Sequence, residues 1–107
     1  MTAERVPRSA LDVLKQHAPE AADAFSALRR SLTGAGSLPP ATQELIVSAT
    51  FVVTGQEGAF RTHARRALQH GASLADLQQA VLLTLGATAT LAQVASALRW
   101  LEALEAS

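Results

Sequence analysis

The chain has 107 residues, with nine Lys+Arg against nine Asp+Glu and a formal charge of zero. That length suits one domain, and the neutral balance argues against a nucleic-acid partner, which requires a basic face to displace counterions. At 49% hydrophobic and 17% charged residues the chain is too apolar for disorder. The absence of cysteine removes disulfide frameworks, thiolate metal sites and any cysteine nucleophile.

Alanine and leucine dominate the sequence, and both are strong helix formers, so composition predicts an all-α fold. Aromatics are 4%, which calls for an aliphatic core. The expected architecture is a single domain over residues 1–107, a helical bundle of about six helices, with N-terminal helices in 1–38 and a core in 39–106. The segment Met1 to Pro7 carries Glu4 and Arg5 and no apolar run, so it does not read as a secretory signal. The longest apolar stretch, Leu45 to Val53, falls well short of the roughly 20 residues a membrane span needs. A cytoplasmic protein without a membrane partner is expected.

Ser9 is placed to cap a short helix from Ala10 to Gln16, with Leu11 and Leu14 on one face. His17 then falls in a connection. Pro19 suits the first turn of a second helix, where its missing N–H has no partner to lose, and Glu20 and Asp23 are acids favoured by the dipole there. Ala21, Phe25, Leu28 and Leu32 make its apolar stripe, and Gly34 ends it. Pro39-Pro40 opens a third helix, Pro40 to Thr54, whose second half is apolar nearly all round. A fourth helix runs from Glu57 to His70 and stops at Gly71, with Phe60, Ala64, Ala67 and Leu68 as its stripe. Ser73 and Asp76 form a capping box for a fifth, Leu74 to Leu85, which Leu77, Ala80, Val81, Leu82, Leu83 and Leu85 leave with little polar face. The sixth, Thr90 to Ala106, carries one stripe of Leu91, Val94, Leu98 and Leu101 and a second of Ala97, Trp100 and Leu104. Two stripes exceed what one small core absorbs, so the excess apolar surface predicts a homo-oligomer.

His63 is the first residue to single out for chemistry. It lies three positions after Phe60 and four before Ala67, on or beside the apolar face, as a satisfied core residue or a site residue. Imidazole, with an unperturbed pKa of about 6.5, suits proton transfer at neutral pH. Glu44 precedes the apolar half of the third helix, with Ser48 one turn later on the same face. It is either a dipole-favoured acid or a carboxylate that orients an imidazole. Glu57 is a first-turn acid of the fourth helix. Arg61, Arg65 and Arg66 surround His63 in sequence, as a solvated face or as anchors for an anionic substrate. His70 before Gly71 suits a helix C-terminus without any function. No two histidines have metal-ligand spacing, so no metal is expected, and there is no phosphate loop or dinucleotide fingerprint.

Three stretches taken together resemble the carboxymuconolactone decarboxylase family: Glu44-Leu45-Ile46, the run from Gly55 to His63, and Ala67-Leu68-Gln69-His70-Gly71-Ala72-Ser73. Gly86 before the last helix fits the same pattern, and the resemblance spans roughly Pro39 to Leu104. It implies the alkyl hydroperoxidase D-like helical fold, assembled as a trimer or hexamer. The hydroperoxidase branch carries two cysteines where this chain has Gln56 and Ala59, with His63 and Glu44 falling on its histidine and relay glutamate. Without a thiolate to attack peroxide, thiol peroxidase activity is excluded. The decarboxylase branch is nearer, although Thr88, Thr84 and Ala59 stand where a proline, an aromatic and an acid are common.

The resemblance implies a cofactor-free lyase that removes carbon dioxide from an anionic carboxylated lactone or related small acid. His63 and Glu44 would be catalytic, and Arg61, Arg65 and Ser48 would bind substrate. A hydrolase or isomerase would use the same groups. The alternative from another class is a repurposed helical oligomer serving as a binding or accessory protein.

Overall fold

The computed structural model describes residues 9–106, the side chains of 105 and 106 excepted, and these form six α-helices without a strand. The segment Met1 to Pro7 lies outside the described residues. The chain divides into two compact units between Ser37 and Leu38.

The first unit is a helical hairpin. In α1 (Ala10–His17) the Ser9 hydroxyl accepts the Asp12 backbone N–H at 3.0 Å, which satisfies one of the donors left over at a helix start. His17 closes this helix instead of sitting in a connection. Pro19 occupies the first position of α2 (Pro19–Thr33), where its fixed φ is already helical. Ala22 is the one buried residue of the two helices, and Phe25, Leu28 and Leu32 are exposed.

The second unit contains α3 (Pro40–Thr54), α4 (Glu57–Gln69), α5 (Leu74–Leu82) and α6 (Leu91–Ala106). Gly55 ends α3 with φ +69°, a conformation that costs any residue with a Cβ about 1–2 kcal/mol, and turns the chain straight into α4. The two helices therefore run antiparallel and make the broadest contact in the molecule. Val52, Phe60, Ala64, Ala67, Leu77, Val81, Val94, Ala97 and Leu101 form one continuous core from all four helices. Small alanines on α4 and α6 let the backbones approach closely, so few aromatics are needed to fill the space.

Three sequence expectations change here. The fifth helix stops at Leu82, three residues short of Leu85. Thr84 and Leu85 turn to the carbonyls three residues back, Val81 and Leu82, at 3.1 Å each, and the Thr84 hydroxyl takes the Val81 carbonyl at 2.7 Å. These shorter rings replace the α-helical ladder. The chain then folds about Gly86 (φ +77°), with the Thr84 carbonyl accepting from Ala87, Thr88 and Ala89. Leu82, Leu83 and Leu85 consequently stay exposed, and so does Leu68 of α4.

The sixth helix begins one residue later, with Thr90 as its cap. The Thr90 hydroxyl accepts the Gln93 N–H at 3.2 Å and the Gln93 side chain accepts the Thr90 N–H at 2.8 Å. The Gln93 amide also donates to the Val53 carbonyl at 2.9 Å, which ties the start of α6 to the end of α3. Finally, both stripes of α6 are taken up within this unit. Val94, Ala97, Leu101 and Leu104 are buried, Leu98 packs partly buried against them, and Trp100 meets Phe60 with ring centroids 5.3 Å apart. The two-stripe argument for excess surface on this helix does not hold, except at Leu91.

Candidate active site

The α3–α4 hairpin carries the site. On α3, Glu44, Ser48 and Phe51 follow at i, i+4 and i+7, one stripe along the helix. On α4, His63 lies on the face bounded by Phe60 and Ala67, both fully buried. The turn at Gly55 brings these two stripes together.

His63 Nδ1 lies 2.6 Å from Glu44 Oε2. A carboxylate only accepts, so Nδ1 carries the hydrogen and donates it. The side chains are 15% and 19% exposed, dry enough to strengthen the bond and open enough to reach solvent. The imidazole also stacks on Phe51, with centroids 5.5 Å apart and planes 27° from parallel. Glu44 fixes the tautomer and Phe51 fixes the ring plane. That leaves Nε2, which bonds to none of the described residues and is not sealed from solvent.

Ser48 sits between Glu44 and Phe51 on the same stripe. It is 1% exposed, and its Oγ has no hydrogen-bond partner and no contact with solvent. A molecule entering from outside meets Nε2 of His63 and not this hydroxyl.

The arginines divide by helical geometry. Arg61 and Arg65 are two residues either side of His63, so each projects about 160° away from it around α4. Arg61 pairs with Glu57 one turn back at 2.5 Å, and its Nε is buried without a partner. Arg65 is exposed. Of the site residues named from sequence, Glu44 and His63 are joined directly and Ser48 lies beside them, whereas Arg61 and Arg65 face elsewhere. Phe51 escaped the sequence reading, although its position seven residues after Glu44 was a sufficient signal.

A groove of about 260 Å³ lies between α3 and α5, lined by Thr42, Leu45, Ile46, Gln79, Ala80 and Leu83, with Asp76 at its edge. Neither Glu44 nor His63 contributes to it. Among the described residues no three His, Asp or Glu side chains are grouped as a metal site would require, and no helix is long and apolar enough to cross a membrane.

The model of the carboxymuconolactone decarboxylase family matches residues 19–103, from the start of α2 to near the end of α6. The chain belongs to that family. The match starts before Pro39 and takes in α2. No curated protein and no solved structure matches the chain. Within the family this member has no cysteine; Gln56 is the N-cap of α4 and Ala59 lies in its first turn. In this chain a histidine on α4 is bonded to a glutamate on α3.

Proposed function

We propose that this protein is a cofactor-free lyase of the carboxymuconolactone decarboxylase type, acting on an anionic carboxylated lactone or a related small acid. The observation that carries this reading is the Glu44–His63 hydrogen bond with Nε2 left open. An imidazole held at Nδ1 by a carboxylate and presenting Nε2 to solvent is a positioned proton donor or acceptor.

In the proposed reaction the bond between the ring carbon and the substrate carboxylate breaks, carbon dioxide leaves, and the electron pair delocalises into the lactone carbonyl as a dienolate. The imidazolium of His63 then delivers the Nε2 proton to carbon, and solvent restores it. Glu44 holds the imidazolium by accepting from Nδ1 and balances its charge. The substrate anion is held by an arginine of α4. The working protein is a homo-oligomer, a trimer or hexamer. Exposed Ile46, Leu82, Leu83, Leu85 and Leu91 support assembly, because they leave apolar surface in water on the single chain.

A second reading is a binding or accessory protein on the same scaffold. The groove between α3 and α5 favours it, since that groove is separate from the histidine. A screen of anionic lactones and β-keto acids for carbon dioxide release, with His63→Ala as control, separates the two. Release by the native protein and not by the variant is expected. No release from any substrate, or equal release by both proteins, favours the binding reading.

A further inference from the structure

Resting on the proposed chemistry at His63, we infer that Arg66 is the residue that anchors the substrate anion, and that the substrate carries its negative charge on the α4 side of the atom that His63 protonates. Arg66 follows His63 by three positions on α4. It is therefore about 60° from His63 around the helix, where side chains one turn apart are neighbours, whereas Arg61 and Arg65 lie on the far side. The guanidinium is also uncommitted. Arg66 is exposed and its guanidinium has no hydrogen bond or ion pair to any described residue, while Arg61 is held by Glu57. Glu44, the acid of this site, gives its Oε2 to His63, and no salt bridge joins it to Arg66.

The antiparallel hairpin fixes the direction. The His63 ring contacts Glu44 and Phe51, so its level on α3 is that of Ser48, midway between them. Arg66 is one turn further along α4 than His63, level with Glu44, and on the side of His63 away from the buried Phe60 and Ala67. His70, the C-cap of α4, follows four residues later and is also exposed, so by helical spacing this side of α4 carries His63, Arg66 and His70 and no carboxylate of its own. An anion that approaches Nε2 finds a planar, bidentate donor beside it, which is the geometry a carboxylate takes best. The specificity follows: a ring bearing a carboxylate is held, and its uncharged amide is not.

The probes are 2-furoate and 2-furamide, which share one ring and differ in charge. Binding is followed by the NMR signals of the His63 ring in the full-length protein. The native protein is expected to bind 2-furoate with movement of the His63 signals, and 2-furamide more weakly. Arg66→Gln is expected to weaken 2-furoate roughly tenfold, the usual loss for one charge-assisted contact, and to leave 2-furamide unchanged. Arg66→Lys should recover part of the loss, and Arg65→Gln should lose less than Arg66→Gln. Unchanged 2-furoate affinity in Arg66→Gln, or an equal or larger loss in Arg65→Gln, overturns the Arg66 assignment and leaves the His63 site standing. If 2-furoate moves no His63 signal in the native protein, the anion-binding site at His63 itself is wrong and the inference falls with it.

Discussion

The two units of this chain use similar sequence patterns with opposite results. In the hairpin of α1 and α2, apolar residues recur at helical spacing, yet only Ala22 is buried, and Phe25, Leu28 and Leu32 stand about half exposed. In the unit of α3 to α6 the same kind of spacing ends in a core where Phe60, Leu77, Val52 and Leu101 are sealed. Within its own unit each helix of the hairpin packs against one partner. Four helices close on each other, and every stripe finds a facing stripe. Amphipathic spacing thus specifies a helix with an apolar side, while the number of neighbours decides whether that side becomes a core. The chemistry follows the core: the Glu44–His63 bond needs two helices held at fixed register, and it lies in the unit that supplies this.

The largest effect should come from the site. His63→Gln preserves volume and a hydrogen bond but removes the transferable proton, so turnover on a substrate found by the lactone screen should drop roughly 10²–10⁴-fold with the fold intact by circular dichroism. Native-like turnover would end the proton-donor role, and an unfolded variant would mark His63 as a core residue. Next comes the contrast between the units. Leu77→Ala, at a sealed position, should cost about 2–5 kcal/mol in urea unfolding, whereas Leu28→Ala on the exposed stripe of α2 should cost less than about 1 kcal/mol. Equal losses would mean that the hairpin stripe is buried in solution by a neighbour.

Gly55→Ala tests the turn that brings the two site helices together. An added Cβ meets no atom within 4 Å, so the cost is backbone strain alone, about 1 kcal/mol in the same unfolding assay. A much larger loss would show that the turn does more than set the chain direction. The smallest effect is expected at Ser48, with the opposite sign. Its Oγ is buried and unpaired among the described residues, so Ser48→Ala removes a desolvated hydroxyl and should raise the unfolding free energy by up to about 1 kcal/mol. A loss of stability would show that the hydroxyl is paired in solution.

The helices themselves were legible in the sequence because their signals are local. Ser9, Pro19, Pro40, Gly55 and the Ser73–Asp76 box act within one turn of the chain, and α1, α2, α3 and α5 begin, and α3 ends, where they place them. The end of α5 was not legible, because Thr84 settles it by taking the Val81 carbonyl, a competition between two hydrogen bonds of similar strength that composition does not rank. Glu44 and His63 were recognisable as residue types at a suggestive separation. That they bond at 2.6 Å depends on how α3 and α4 pack after the turn at Gly55.

The sequence by itself determined an all-helical, cysteine-free chain with one histidine at the edge of an apolar stripe, because helix propensity and periodicity are properties of neighbouring residues. Tertiary structure alone decided which stripes are covered. Trp100 and the second stripe of α6 went into the core against Phe60, while Leu82, Leu83 and Leu85 stayed in water. It also decided that Glu44 of α3 meets His63 of α4, since a helix is oriented towards its partner only by the neighbours it packs against. Burial and register arise from contacts between residues far apart in the chain, and those contacts exist only once the helices have packed.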